Sequence, residues 1–489
     1  MFALIQKMMT LNLISVCVVW SSYSAAETLS FHQVEKIFLD QSFGAKASSV
    51  LSQSDQLNKD AVNNLGLPTI NLNAGAYAFQ QRVQVPIDSL KDDLKSGVQQ
   101  NLDQQLDAWG NQIPGFGNIS GDINLGVNSV IDAGFNLLPN RTDFNLRDEN
   151  TFSNVAMFMP IYTGGLITAT KNLAALQSEK GSIRHQQEEN VQRFEIIQAY
   201  FNVQLQKQLL ASGRYNLKAM QKHYDNAQKL EQQGFISKGQ RMMFEVARNN
   251  AERVYQSTEA NYRASLFKIN NLLQQSQVTE LSTPLFVNLT QNQNIEQLLT
   301  SFQEKSPLIQ QLQKDTQLAS ENVKLLEAAK KPTVFAFGEY ALNDKNEWVI
   351  GVAATYNLFS GIDKNKKIQA AELTKYASQL ATERTKQQLE ILIYQAYSEL
   401  RNAQNTHKLL EQNLQAALEN LRIQDLSFQE DMGTATSVID AQNAVTTVKS
   451  EMALNSYKYI MSLAVILQTN GSINQFQSYV NQANTSYIK

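Results

Sequence analysis

The clearest pattern of apolar positions lies in the C-terminal third of the chain. From Leu389 to Leu421, mostly apolar residues recur at alternating spacings of four and three, and the same spacing returns from Val438 to Ile466. A sustained period of about 3.5 residues is typical of helices that pack in a left-handed coiled coil. A short break around Gly433 separates the two stretches. The pattern therefore predicts an antiparallel helical hairpin over 362–469.

The chain is also predicted to contain very long helices. Two proline-free stretches, at about 166–230 and 363–429, have helical character throughout. Since a helix advances ~1.5 Å per residue, each would extend roughly 100 Å, far more than an ordinary globular core needs. The first stretch predicts a second helical hairpin over 165–275. His407 falls within the apolar contact stripe of the C-terminal hairpin, where we expect a hydrogen-bonded packing histidine.

An internal repeat relates the two hairpins. The tetrapeptide Ile161–Gly164 returns as Leu358–Gly361, and Gln198–Tyr200 returns in the same register as Gln395–Tyr397. One constant offset over such a distance indicates two copies of one structural unit and hence internal pseudo-symmetry. The predicted organisation is a signal peptide at 1–26, a first repeat at 27–275, a linker at 276–306, a second repeat at 307–473 and a C-terminal tail at 474–489.

Each repeat opens with two predicted strands, at about 69–79 and 152–161 in the first copy and at 333–342 and 348–359 in the second. In the last of these, alternate residues beginning with Trp348 are apolar, and the intervening residues are mostly small or polar. An apolar face bounded by Trp348 and Tyr356 fits a lipid-facing barrel strand with aromatic residues at both interfaces. The alternative is a strand packed on the core of a two-layer sandwich.

The first pair of strands is separated by an insert at about 84–150, whereas the second pair has a short connection. Its first part could form an amphipathic helix, and its second part is rich in Gly and Asn. Loops of this length are usually functional or disordered. If the strands cross a membrane, we expect the insert on the external side.

Composition narrows the class of protein. The first 26 residues resemble a secretory signal peptide and contain Cys17, the single cysteine. The net charge of −3 gives no basic face for a nucleic-acid partner. The four histidines have no metal-type spacing, and no catalytic motif or cofactor motif is present. We therefore expect no catalytic residues, no bound metal or cofactor, and no enzymatic activity.

Backbone hydrogen bonding predicts an assembly. A chain with four strands cannot close a barrel, and open strand edges are not tolerated in lipid. Three chains would supply 12 strands, a plausible closed barrel. The predicted fold class is therefore mixed: a trimeric transmembrane β-barrel with four strands per chain, continued by a long α-helical coiled-coil barrel, with two pseudo-repeats per chain.

Several short motifs in a fixed order resemble the TolC family of outer-membrane efflux and export channels. The motifs are Leu67–Thr69 and Lys331–Thr333 before the strand pairs, Pro160–Gly165 at a strand-to-helix junction, Gly234–Lys238 and Gly433–Thr436 at the tips of the helical hairpins, and Val438–Ala441 after the second tip. The resemblance extends from Leu29 to about Ile473. It implies a homotrimer in the outer membrane of a Gram-negative cell, with a periplasmic extension.

The resemblance also implies partners and functional residues. The tip would open on docking with a periplasmic adaptor (membrane fusion) protein and an inner-membrane pump of the RND or ABC type. Many relatives carry acidic residues at the tip constriction, a position matched by Asp440, while Ser437 occupies the second such position. The other implied residues are Gly234, Phe235, Ile236, Ser237, Gly433 and Thr434 at the docking tip, Gly164, Gly165 and Gly361 at the strand–helix junctions, and Trp348 and Tyr356 at the lipid interfaces.

Two questions stay open at this point. A periplasmic or surface-exposed coiled-coil scaffold without a channel would also account for the helices. Within the channel class, drug efflux and type I protein secretion are not distinguished by the sequence.

Overall fold

The computed structural model describes residues 28–77, 150–274, 278–290, 294–342, 347–430 and 432–488, together with short pieces of the insert at 93–94, 96–98, 100, 104, 129–130 and 133–134. The predicted signal peptide at 1–26 and most of the insert lie outside the described residues. Among the helices that are described, none combines the length and apolar character needed to cross a membrane.

Long helices and short strands alternate along the chain. The strands are β1 (Thr28–Leu29), β2 (Thr69–Tyr77), β3 (Asn150–Tyr162), β4 (Glu280–Leu281), β5 (Leu285–Asn288), β6 (Thr333–Ala341), β7 (Trp348–Thr355) and β8 (Thr485–Ile488). The helices are α1 (Phe31–Gln41), α2 (Phe43–Ala61), α3 (Leu166–Gln232), α4 (Lys238–Leu272), α5 (Ile295–Lys305), α6 (Pro307–Ala328), α7 (Lys364–Gln429), α8 (Ala435–Thr469) and α9 (Phe476–Val480).

The element lengths express the internal repeat. Helices α3 and α7 contain 67 and 66 residues, and α4 and α8 contain 35 residues each. The four longer strands form one antiparallel sheet in the order β2-β3-β6-β7, so the two copies pair through β3 and β6. Two small sheets pair β1 with β4 in parallel and β5 with β8 antiparallel. The predicted mixed fold of four strands and long paired helices is confirmed.

One strand is shorter than predicted. Strand β7 ends at Thr355 instead of 359, and Tyr356 follows it. The last pair of the ladder joins Thr333 to Thr355, and their hydroxyl oxygens are 2.7 Å apart. The next partner in this register would be Pro332, which has no N–H to donate. The alternation of apolar and polar residues that predicted a longer strand continues beyond Thr355 in the sequence. The partner strand β6, however, begins only at Thr333, so it offers β7 no further residue to pair with.

The chain divides into two compact units, and α3 and α7 contribute residues to both. The first, the sheet unit, comprises Gly44–Glu188 and Leu299–Leu392. Here α6 packs against both long helices: Leu325 meets Leu173 of α3, and Leu326 meets Ala371 of α7. Helix α2 is attached to α3 by polar contacts, such as the 2.8 Å hydrogen bond from Ser178 Oγ to Gln56 Oε1.

The second unit, which we call the aromatic unit, comprises Met1–Phe43, Glu189–Leu298 and Ile393–Lys489. Its centre is a cluster of fully buried rings from five elements, α1, α3, β5, α8 and α9: Phe31, Tyr200, Phe201, Phe286, Tyr459 and Phe476. The hydroxyl of Tyr200 donates to the carbonyl of Leu29 at 3.1 Å and accepts from the N–H of Thr283 at 2.9 Å. These bonds fasten the small parallel sheet to α3.

The predicted contact stripe between α7 and α8 is buried along the aromatic unit. Asn455, a polar residue within it, bonds across the hairpin: its Nδ2 donates to the carbonyl of Ala403 at 2.8 Å. His407 is fully buried, with Nε2 2.9 Å from Ser486 Oγ and 3.1 Å from Glu411 Oε1. The packing role predicted for His407 is confirmed, and its burial lowers its pKa.

The two strand–helix junctions are built differently. Gly164 and Gly165 have φ of +65° and +102°, and a Cβ on Gly164 would lie 2.8 Å from the carbonyl oxygen of Ala328. Only glycine adopts this positive φ at little cost and has no Cβ to collide with the carbonyl of Ala328. At the second junction Gly361 has ordinary backbone and open space around it. There Asp363 Oδ1 accepts from the N–H groups of Asn365 and Lys366 at 3.0 and 3.1 Å and starts α7.

A matched pair of substitutions tests this difference. We expect Gly164→Ala to destabilise the fold by about 1–3 kcal/mol, because it combines a positive φ with a steric clash. Gly361→Ala should change stability by less than about 0.5 kcal/mol. Thermal melting of the two purified variants in detergent checks this, and equal melting temperatures would contradict the account of the junction.

Candidate functional site

The predicted functional residues fall into two groups. The tip residues belong to the aromatic unit, and the lipid-interface residues belong to the sheet unit. Each group is described within its own unit.

The first helical tip is a short turn fixed by its backbone. Helix α3 ends with the N–H of Phe235 bonded to the carbonyl of Leu230 at 2.9 Å and that of Gly234 bonded to Glu231 at 3.0 Å. This is a Schellman motif, which requires the positive φ of +81° observed at Gly234. Phe235 is 68% exposed at the apex of the turn.

Helix α4 restarts immediately after this turn. Ser237 caps it and forms a capping box with Gln240, in which each side chain bonds the backbone N–H of the other residue. Arg241 then bridges back to Glu231 of α3 at 3.0 Å and also bonds Glu245. The turn is therefore closed on both sides by local hydrogen bonds.

At the second tip the glycine is required by a close contact with the preceding helix, not by a positive φ. A Cβ on Gly433 would lie 2.9 Å from the backbone N of Phe428, so only glycine fits there. Thr434 caps α8: its Oγ1 accepts from the N–H of Ser437 at 3.1 Å and lies 2.8 Å from Ser437 Oγ. Met432, which the sequence analysis did not single out, is 80% exposed beside Gly433. Ser437 is thus engaged in the cap, while Asp440 is exposed one turn further along.

The two hairpins of one chain meet at their tips through an apolar cluster. Ala227 of α3, Phe244 of α4 and Ala435 of α8 are buried together, and Ile236 and Phe428 pack against them. Sequence reasoning missed this cluster, because its members come from four elements and follow no local period. The tips of the hairpins are held here by packing.

A histidine lies beside this cluster. His223 of α3 stacks on the ring of Phe244, with centroids 5.8 Å apart, and its Nε2 is 3.7 Å from Asp425 Oδ1 of α7. Burial lowers the pKa of His223, with a further contribution from Lys222, whereas Asp425 acts in the opposite direction. The imidazole is therefore favoured in its neutral form at the point where α3, α4 and α7 approach one another.

A surface groove runs along α3 and α4 above the first tip. Basic side chains dominate its polar lining, which includes Arg214, Lys218, Lys222, Lys229 and Arg248 together with the acids Asp225 and Glu252. The ionisable side chains of this lining therefore carry a net positive charge.

In the sheet unit, one face of the four-stranded sheet is apolar across every strand. In register, Leu72 pairs with Val155, Val155 with Tyr340, and Tyr340 with Trp348. The neighbouring row joins Ile70, Met157, Gly338 and Ile350. Five of these large side chains are 66–70% exposed: Ile70, Leu72, Trp348, Ile350 and Val352.

The opposite face combines amides and one acid with aromatic rings. Its polar members are Asn71, Asn73, Asn154 and Glu339, and its aromatic members include Phe158, Phe335 and Phe337. Asn154 Nδ2 donates to Glu339 Oε1 across the β3–β6 pair. The two faces therefore differ sharply in polarity.

Aromatic residues mark both ends of the apolar face. Trp348 pairs with Tyr340 at the end where β6 and β7 are connected. At the other end, Tyr162 pairs with Val334 after a bulge in β3, and Tyr356 follows β7; both tyrosines are exposed. Tyr340 and Tyr162 were not predicted as interface aromatics, although the pairing of Tyr340 with Trp348 follows from the short connection between their strands.

Comparison with known proteins agrees with this architecture. Residues 298–472 match the family described as outer membrane efflux protein. Over that range the match supports the family resemblance inferred from the sequence. Among curated proteins, none matches the chain by sequence.

Solved outer-membrane proteins share the fold over nearly the whole chain. VceC of Vibrio cholerae superposes with a TM-score of 0.71 at 13% identity, covering 90% of this chain and 96% of VceC. The MtrE channel of Neisseria gonorrhoeae in its open state gives 0.67 at 14% identity, covering 91% and 89%. The CmeC channel of Campylobacter jejuni gives 0.67 at 11% identity, covering 92% and 89%. At these identities the likeness defines the fold.

The position of His223 generates a prediction of pH dependence. Because its pKa is lower in the folded protein than the ordinary value of about 6.5, the unfolded chain takes up a proton first as the pH falls. Stability should therefore decrease below about pH 6.5, by at most about 1.4 kcal/mol per pH unit for this group. His223→Gln should flatten the dependence of melting temperature on pH between 8 and 5.5.

His407, whose pKa is also lowered by burial, retains its own contribution in this variant, so part of the slope should remain. A slope for His223→Gln equal to that of the unsubstituted protein would show that the imidazole does not weaken the tip at acid pH.

Proposed function

We propose that the chain is the outer-membrane channel of a Gram-negative tripartite efflux or type I secretion system. It would act as a passive exit duct, with the sheet in the lipid and the helical tips in the periplasm. The observation that carries this proposal is the apolar face of the sheet, whose largest side chains are 66–70% exposed. Water does not favour so large an exposed apolar patch, whereas a bilayer does.

The strands have suitable dimensions for the membrane. They contain 9, 13, 9 and 8 residues, close to the roughly 9–11 residues of a tilted transmembrane strand. The aromatic pairs at the two ends of the apolar face lie where side chains of this kind anchor a barrel in the two interfaces.

The open edges of the sheet support a homotrimer. Among the residues that the structure describes, β2 and β7 are the two edge strands of this sheet. Unpaired N–H and C=O groups are not tolerated in hydrocarbon, so these edges would pair with neighbouring subunits. Three copies of the sheet would close a barrel of 12 strands.

The tips are the proposed contact surface for an adaptor protein, which would link the channel to an inner-membrane pump of the RND or ABC type. The exposed Phe235 and Met432 offer apolar contacts, and the basic groove on α3 and α4 offers charge. Three exposed Asp440 carboxylates would surround the tip opening and attract cations. No catalytic role is assigned to any residue.

A coiled-coil scaffold without a channel is the alternative function. A scaffold would account for the helices equally well. It would not account for the exposed apolar face of the sheet or for the aromatic residues at the ends of that face. The outer membrane efflux protein match over residues 298–472 also favours the channel.

A pair of arginine substitutions tests which face contacts lipid. Ile350→Arg places a charge on the apolar face and should cost about 2–4 kcal/mol if that face lies in the bilayer. Val349→Arg places the same charge on the opposite face of the same strand and should be tolerated. The readouts are outer-membrane yield and trimer mass in detergent; equal yields would contradict the assigned orientation.

Planar-bilayer recording tests the channel and its tip. The purified trimer should conduct, and Asp440→Ala should raise the concentration of Mg²⁺ that half-blocks the current roughly fivefold, equivalent to about 1 kcal/mol for the lost charge. Ser437→Ala is the matched control, since the hydroxyl is engaged in the helix cap. A trimer without conductance would contradict the proposed function. An unchanged Mg²⁺ block in Asp440→Ala would contradict only the role of Asp440.

A further inference from the structure

One residue on the polar face of the sheet is more buried than the sheet alone explains. Phe335, on β6, is only 4% exposed, although the apolar face of the same sheet is largely open. Its neighbours within the sheet include Phe158, Phe337 and Ala353. The rings of Phe158 and Phe335 lie 4.9 Å apart. These neighbours cover the sides of the ring, and a further group covers it from above the sheet.

That group is Val130 from the long insert. Val130 is 9% exposed and forms one buried cluster with Phe335, against which Phe158, Phe337 and Ala353 pack. The contact spans about 200 positions in sequence and lies entirely within the sheet unit. Part of the insert therefore sits on the face opposite the apolar one.

The sequence around Val130 suits this position. From Ile123 to Leu138 there is a single charged residue, Asp132, among many apolar ones such as Ile131 and Phe135. Such a segment gains by covering aromatic rings and loses by remaining in water.

We propose that Val130 is an anchor point that fixes the insert of this chain to the inner face of the sheet, so that Val130 lies in the bore. The inference rests on the proposed function, because the face with Phe335 is the inner face only if the apolar face contacts lipid. The aromatic patch of Phe158, Phe335 and Phe337 is then the docking surface for the chain's own insert. In a trimer three such anchors would narrow the passage and add to its selectivity.

Disulfide trapping tests the anchor in a favourable background, since Cys17 of the signal peptide is the single cysteine in the sequence. In the variant Val130→Cys with Phe335→Cys, oxidation should form an intramolecular disulfide, seen as a change in gel mobility that a reductant reverses. The control combines Val130→Cys with Ile350→Cys, which lies on the opposite face of the sheet. Cross-linking of neither pair, or of both equally, would overturn the proposal.

Thiol labelling provides a second measurement with a less disruptive variant. In intact cells, Val130→Cys should react slowly with a membrane-impermeant maleimide, and adding Phe335→Ala should increase the rate at least fivefold. A rapid reaction in the single variant would place Val130 in the external medium and overturn the proposal.

Trimer mass and conductance of the same samples separate this inference from the proposed function. A conducting trimer without the cross-link overturns the anchor alone. A cross-linked chain that forms no trimer or does not conduct overturns the proposed function and with it the location of the insert in a bore.

Single-channel conductance should rise when Val130→Asp releases the anchor, and an unchanged conductance would contradict a narrowing role.

Discussion

The hydrogen bonding of two strand edges constrains the rest of this molecule. Among the described residues, β2 and β7 are the edge strands of the large sheet, which exposes a broad apolar face. In water the apolar face is unfavourable, and in lipid the unpaired edges are unfavourable. A closed barrel of several subunits is the arrangement that satisfies both at once. On the proposed function, the oligomer is therefore required by the sheet before any contact between helices is considered.

The helical tips meet a different requirement, which is to end two very long helices without a large turn. The first tip uses a glycine with positive φ, and the second uses a glycine in close contact with the preceding helix. In both, the next helix is capped by a hydroxyl within a few residues. The buried cluster of Ala227, Phe244 and Ala435 then joins the two hairpins. Because packing of this kind is short-ranged, a small displacement of one hairpin would remove much of the attraction between them.

The features that the sequence predicted correctly depend on local periodicity. The contact stripe of α7 and α8 and the apolar face of β7 repeat every few residues, so each is visible without knowledge of partners. The end of β7 at Thr355 could not be predicted this way, because it is set by Pro332 on the paired strand. The tip cluster and the contact of Val130 with Phe335 join residues far apart in the sequence, and no local pattern marks them. Of the predicted site residues, those that shape the backbone, such as Gly164 and Gly234, have a visible structural cause, whereas the role of Asp440 remains a proposal.

The two repeats match in their helices and differ in how their strands are connected, and this difference has a physical consequence. Helices α3 and α7 differ by one residue and α4 and α8 are equal in length, which keeps the hairpins in register, so a larger change in one copy would misalign the tips. The connections between strands carry no such constraint and can grow. A barrel of about 12 strands is wider than the eight-stranded barrels that side chains alone can fill, so its interior has room for additional chain. On the proposed function, one Val130 anchor from each of three subunits would occupy part of that interior without altering the strands or the length of any helix.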